Sequence, residues 1–176
     1  MIDYKMILLP FFISLILTPI VKQYSIYLAF IITMAIFVKA DRQIKGLVIG
    51  SSIMFFTGLI DDLIDIKPLV KLTLEVIAAL VLIYFGISVD IIRLPLGIQI
   101  DTGIISFIFT IIWVAGITNA VNLIDGLDGL AVGVSSIAAI TMLAVALLTG
   151  NMPIAITMAA LAGACIGFMP YNLNPA

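Results

Sequence analysis

Two short stretches of this chain hold residue types that could do chemistry. The first is Asn119-Ala-Val-Asn-Leu-Ile-Asp-Gly-Leu-Asp-Gly-Leu-Ala131, in which Asn119, Asn122, Asp125 and Asp128 recur at intervals of three. In a helix that spacing lines the four groups along one side, within reach of a common ligand. Gly126 and Gly129 let the backbone approach that ligand or turn sharply. The second stretch is Asp61-Asp-Leu-Ile-Asp65, followed by Lys67 and Pro68. Both lie beside long apolar runs, where a carboxylate needs a metal ion, a cation or water as partner. A polar loop with its carboxylates simply in water is the plainer alternative. Oxygen ligands in a chain without histidine favour Mg²⁺, or Mn²⁺, over zinc. Mg²⁺ held by few carboxylates shares its shell with substrate phosphates, which points to phosphoryl chemistry.

The elements that must position these residues are set by composition. The chain has 176 residues, 64% of them hydrophobic and only 10% charged, with a mean hydropathy of +1.34. No ordinary soluble domain has that balance, so an integral membrane protein is expected. The apolar residues run continuously instead of alternating, which favours helices over a barrel. Runs at 6–21, 24–38, 46–60, 69–88, 104–118, 130–148 and 154–168 give an all-α, polytopic bundle of about seven spans in a single domain, residues 1–176. Between 89 and 103 the pattern alternates and is broken by Pro95 and Gly97, so a small extracytoplasmic β-hairpin is expected there. The net charge of −2 and the lack of a basic patch argue against a nucleic-acid partner. Cys165 lies in an apolar run and reads as a packed thiol. Two crossings separate the acidic stretches, which places both on one membrane face. There a divalent cation offsets the mutual repulsion of five aspartates.

Gly58-Leu-Ile-Asp-Asp-Leu-Ile-Asp65 with Pro68 and Lys71, followed by the Asn119 to Ala131 stretch, resembles the polyprenyl-phosphate N-acetylhexosamine-1-phosphate transferases, glycosyltransferase family 4. The order and spacing of the two motifs agree with that family. The ending Gly167-Phe-Met-Pro-Tyr-Asn-Leu-Asn-Pro-Ala176 adds to the likeness. The resemblance implies transfer of a sugar 1-phosphate from a UDP-sugar to undecaprenyl phosphate, with Mg²⁺ and release of UMP. It implies catalytic roles for Asp61, Asp62 and Asp125, and metal binding by Asp125 and Asp128. Lys71, Asn119, Asn122 and Asp65 are implied in substrate binding, Lys71 as a point charge facing phosphate. A lysine or aspartate that merely reaches water from a helix end is the other reading of Lys71 and Asp65. Glu75, inside the fourth run, reads as a bundle-facing polar contact and receives no role. Ile124 and Asp65 favour the UDP-GlcNAc type, used for teichoic acid, O-antigen or similar glycans, over the type that transfers phospho-MurNAc-pentapeptide in peptidoglycan synthesis.

The family places both acidic motifs on the cytoplasmic face of the inner membrane, and a homodimer is one assembly compatible with the resemblance. That orientation puts Lys22, Lys67 and Lys71 inside and Lys5, Lys39, Arg42, Lys45 and Arg93 outside, against the positive-inside rule. Family members carry a basic, histidine-containing loop after the first span, where this chain has Val21-Lys-Gln-Tyr-Ser25. They continue past the position of Ala176 into a further metal-binding motif, more spans and a histidine-rich loop. The chain is therefore expected to be the N-terminal part of a longer fold with an incomplete site, and an inactive remnant is an alternative. A cation-coupled transporter is the reading from a different class, and it calls for carboxylates at mid-span. The arginine of the CDP-alcohol phosphotransferase motif is missing after Gly129.

Overall fold

The computed structural model describes residues 4–21, 24–39, 41–93, 99–126 and 128–173. Seven α-helices run through them: α1 (Lys5–Val21), α2 (Tyr24–Phe37), α3 (Arg42–Ile64), α4 (Pro68–Tyr84), α5 (Ser106–Ile124), α6 (Leu130–Leu148) and α7 (Met152–Asn172). Four of them, α3, α5, α6 and α7, are long and apolar enough to cross a membrane, while α1 and α2 are shorter apolar helices. The chain is a multi-pass, helical membrane protein. Its helices form two compact units, Met1–Lys39 with Val121–Ala176, and Ala40–Ala120.

In the first unit α7 is the central helix, packed against α1, α2 and α6. Its buried side is built of small residues, among them Ala155, Ala159, Ala160, Gly163, Ala164 and Gly167. Gly163 and Gly167, one turn apart, let the α1 backbone come very close. A Cβ on either glycine would lie 2.3 Å from a carbonyl oxygen, that of Ile7 or of Phe11 respectively. Lipid tails are as apolar as leucine, so close backbone contact supplies the attraction that apolar burial cannot. Hydroxyl groups join α1 to α2. Thr18 Oγ1 lies 2.8 Å from Ser25 Oγ and also donates to the Ser14 carbonyl at 2.6 Å. The link between these helices, Lys22 and Gln23, is outside the described residues.

In the second unit α3 starts at the N-cap Asp41, whose carboxylate accepts the Ile44 N–H at 2.8 Å. The helix is longer than the apolar run at 46–60 suggested. It continues through Asp61 and Asp62 and stops where Asp65 adopts the left-handed conformation (φ 50°) and donates its N–H to the Asp61 carbonyl. Pro68 opens α4, its missing N–H costing nothing in a first turn. The two helices are antiparallel neighbours. Arg42 donates to the Tyr84 carbonyl at 2.6 Å and Gln43 to that of Gly86 at 3.0 Å. Gly46 and Gly50 face Phe85 and Leu82.

Beyond α4, β1 (Ile91–Arg93) pairs antiparallel with β2 (Gln99–Asp101), Ile92 opposite Ile100. Residues 94–98, which include the expected hairpin turn at Pro95 to Gly97, lie outside the described residues. The base of the pair is tied to α5. Thr102 Oγ1 donates to the Val89 and Asp90 carbonyls at 2.7 and 2.8 Å, and the Val89 N–H donates to Thr110 Oγ1 at 2.9 Å. The Asp90 carboxylate accepts from Ser106 and from Ser88, both at 2.7 Å. Those hydroxyls, Ser106 first, hold its carboxyl below the ordinary 3.8.

Candidate functional site

The acidic stretch at the end of α3 is shaped by its own turn. Lys71 Nζ donates to Asp61 Oδ2 at 2.6 Å, with both side chains about one fifth exposed (17% and 22%). The other Asp61 oxygen accepts the Ile66 N–H at 3.2 Å. Asp61 therefore anchors both the helix end and the lysine of the next helix. Asp62 and Asp65 are exposed. A cavity of about 360 Å³ runs along the same two helices, lined by Ile49, Ile53, Phe56 and Ile60 of α3 and Leu74 of α4. Its lining includes Ile60, next to Asp61 in sequence, and Leu74, one turn from Lys71, but neither member of the ion pair itself.

The asparagine and aspartate stretch is only partly helical. Asn119 and Asn122 sit in the last turns of α5, which ends at Ile124. Asp125 closes that end with its N–H on the Val121 carbonyl at 3.1 Å, and its side chain is exposed in the following turn. Asp128 is exposed in a second turn before α6. The expected line of four groups along one helical side therefore holds for the two asparagines and not for the two aspartates. Gly129 supplies a reason for the second turn. Gly129 sits at φ 71°, a left-handed conformation that a residue with a Cβ adopts only under strain, and it caps the start of α6. Its N–H donates to Asn172 Oδ1 at 3.1 Å, and a Cβ on it would strike Leu173. The end of α7 thus braces the turn that carries Asp128.

Asn119 has a partner that the sequence reading left without a role. Its Nδ2 donates to Glu75 Oε2 at 2.6 Å and to the Ala115 carbonyl at 2.9 Å. Glu75 is buried and bonded to α5, as the bundle-facing contact read from the sequence, and Asn172 is the polar residue whose position sequence reasoning missed. A glutamate inside an apolar helix, four residues after Lys71, was a signal. Asn172, beyond the apolar run that marks α7, offered none.

The oxygen-only donors suit a hard cation in kind. Among the described residues no three acidic, cysteine or histidine side chains converge to hold a metal ion by themselves. An ion bound through Asp125 or Asp128 would complete its shell with phosphate oxygens and water.

Comparison with known proteins agrees with these motifs. The sequence model of glycosyl transferase family 4 matches residues 44–176. A probable undecaprenyl-phosphate N-acetylglucosaminyl 1-phosphate transferase of Bacillus subtilis is 31% identical over 140 residues, which cover 79% of this chain and 39% of that protein. A decaprenyl-phosphate N-acetylglucosaminephosphotransferase of Mycobacterium tuberculosis is 38% identical over 152 residues, 80% of this chain and 37% of the relative. A phospho-N-acetylmuramoyl-pentapeptide-transferase of Clostridium botulinum is 30% identical over 172 residues, 90% of this chain and 53% of the relative. The chain thus spans between about two fifths and half of the length of these relatives. With both motifs inside the matched region, the chain belongs to glycosyl transferase family 4.

Proposed function

We propose that this chain carries part or all of a phosphoglycosyl transferase. The reaction moves N-acetylglucosamine 1-phosphate from UDP-GlcNAc to a polyprenyl phosphate and releases UMP. The observation that carries the reading is the Asp61–Lys71 pair at 2.6 Å, joining the two helices whose apolar residues line the cavity. An ammonium at the edge of apolar surface suits a ligand with a phosphate head and a hydrocarbon tail. In the reaction an oxygen of the polyprenyl phosphate forms a bond to the β-phosphorus of the UDP-sugar. The bond from that phosphorus to the bridging oxygen breaks, and UMP leaves with the electron pair.

Lys71 faces the acceptor phosphate and Asp61 holds Lys71 in place. Asp61 or the exposed Asp62 takes a proton from the acceptor or positions it. Asp65 borders the acceptor phosphate, and Asn119 and Asn122 bind the nucleotide sugar. Asp125 and Asp128 would hold Mg²⁺, which when bound neutralises the diphosphate. In this reading about seven helices cross the inner membrane and the two motifs work at its cytoplasmic face.

The test is transfer of labelled GlcNAc 1-phosphate from UDP-GlcNAc to undecaprenyl phosphate in membranes containing the folded chain, with and without Mg²⁺. A Mg²⁺-dependent lipid product that disappears in Asp125→Ala is expected. Folded protein without product would refute transfer by this chain alone. A second reading, transfer of phospho-MurNAc-pentapeptide, is favoured by the relative from Clostridium botulinum, which covers 90% of the chain. Replacing UDP-GlcNAc by UDP-MurNAc-pentapeptide in the same assay decides between the two.

A further inference from the structure

Glu75 stands seven residues into α4, roughly 10 Å along the helix from Pro68. It is 0% exposed, the largest fully buried side chain among the described residues. Lys71, one turn earlier on the same side, reaches α3, and Glu75 reaches α5. Only one of its oxygens is used. Oε2 accepts from Asn119, and among the described residues Oε1 has no partner. A leucine would pack at this position without a desolvation cost. A buried carboxyl that makes a single bond is costly architecture, and such a group calls for an explanation.

The explanation lies in what the bond does to Asn119. The amide has two N–H donors and one oxygen. One hydrogen goes to Glu75 at 2.6 Å and the other to the Ala115 carbonyl at 2.9 Å. The carbonyl can only accept, so the nitrogen must face it and the orientation of the amide is decided. Among the described residues Oδ1 is then the one polar atom of the side chain without a hydrogen bond, and the residue itself stays exposed. A lone asparagine rotates about χ2 and offers a ligand either end. This one offers oxygen.

We propose that Glu75 is a positioning residue that locks Asn119 so that its amide oxygen alone meets the ligand. That ligand is a hydrogen-bond donor on the nucleotide sugar or the cation that accompanies it. The inference rests on the assignment of Asn119 to nucleotide-sugar binding. Glu75 touches no substrate and acts through Asn119. A residue that served only to join two helices would leave ligand affinity untouched.

The experiment uses the full chain, purified in detergent, with Glu75→Gln, Glu75→Leu, Glu75→Asp, Asn119→Ala and the Glu75→Leu/Asn119→Ala double variant. UDP-GlcNAc is varied at saturating Mg²⁺, and Mg²⁺ at saturating UDP-GlcNAc. Glu75→Gln keeps an acceptor for Asn119 and is expected within about twofold of the parent. Glu75→Leu is expected to raise the KM for UDP-GlcNAc, or the Mg²⁺ requirement, roughly tenfold with kcat nearly kept, the scale of one buried hydrogen bond. It should add nothing in the Asn119→Ala background. The arm that shifts identifies which ligand meets Oδ1.

A fall in kcat with both constants unchanged, or full additivity with Asn119→Ala, would overturn the proposal. Should Glu75→Leu fail to fold, Glu75→Asp carries the test. It keeps the carboxyl but loses the reach, and parental constants in it would refute the lock. If the parent chain transfers nothing, transfer by this chain alone fails, and equilibrium binding of UDP-GlcNAc and of Mg²⁺ replaces KM. Weaker binding of either ligand in Glu75→Leu and Glu75→Asp then supports the lock, and parental affinity for both, or no binding of either by the parent, overturns it.

Discussion

α7 and α4 solve the same problem with opposite means. Each is a helix surrounded by apolar residues, and each must hold neighbours without the help of water. α7 does so with small residues, bringing its glycines against the α1 backbone. α4 does so with a charged stripe, Lys71 bonded to Asp61 and Glu75 to Asn119. Close packing has no chemistry left over once it is satisfied. A polar stripe at a helix face leaves an oriented group behind, here the Asn119 oxygen. The contrast separates a helix held by close packing from one held by paired polar groups.

The largest expected effect tests the packed side. Gly167→Val or Gly163→Leu places atoms where the α1 carbonyls lie, 2.3 Å from the built Cβ. The helices must separate or shift, and overpacking of this kind costs about 1–3 kcal/mol or more. Thermal unfolding in detergent should show a sharply lower midpoint and less folded protein. An unchanged midpoint would mean that the glycine contact does not hold the unit together.

The polar side should respond in the other sense. Lys71→Met removes the ammonium while its partner remains part exposed, so the fold should survive. Transfer should fall on the order of a hundredfold, as when one charge-stabilising donor is lost. A variant that unfolds but transfers normally per folded molecule would reverse the comparison.

Smaller effects lie between these extremes. Asn172→Ala takes the acceptor from the Gly129 N–H and should cost about 1 kcal/mol, read as a modest fall in the unfolding midpoint. Asp90 should produce the smallest effect. Its carboxyl is held below 3.8, so its contribution is complete above that value and is lost as pH falls through the lowered one. Hydrogen exchange at the Thr102 N–H, which bonds to the Asp90 carbonyl, should therefore be unchanged from pH 7 to pH 5 after correction for intrinsic rates. Exchange should become faster in more acid solution. A loss of protection already at pH 5 would exclude Asp90 as the source.

Much of the fold is readable from local composition. Every helix coincides with an apolar run, because hydropathy and helix formation act over a single turn or two. The ends were less legible. α3 outruns its apolar core by the acidic pair, since its stop is set by the conformation of Asp65 and not by polarity. Within the site, Asn119 and Asn122 share a helix as their spacing suggests, whereas Asp125 and Asp128 fall in glycine turns that a spacing rule passes over. Gly163 and Gly167 looked ordinary in sequence. Their partners, Ile7 and Phe11, lie more than 150 residues away, too far for any local pattern to mark the contact.

The sequence by itself determined the helical membrane class, the place of each apolar run and the identity of the acidic and asparagine motifs. These are short-range properties of hydropathy, turn chemistry and residue type. Only the tertiary structure decided which polar group meets which: Lys71 with Asp61, Glu75 with Asn119, Gly129 with Asn172. Such pairings depend on the rotation and axial register of helices that are distant in sequence. A hydrogen bond tolerates only a few tenths of an ångström, and apolar patterning does not specify that.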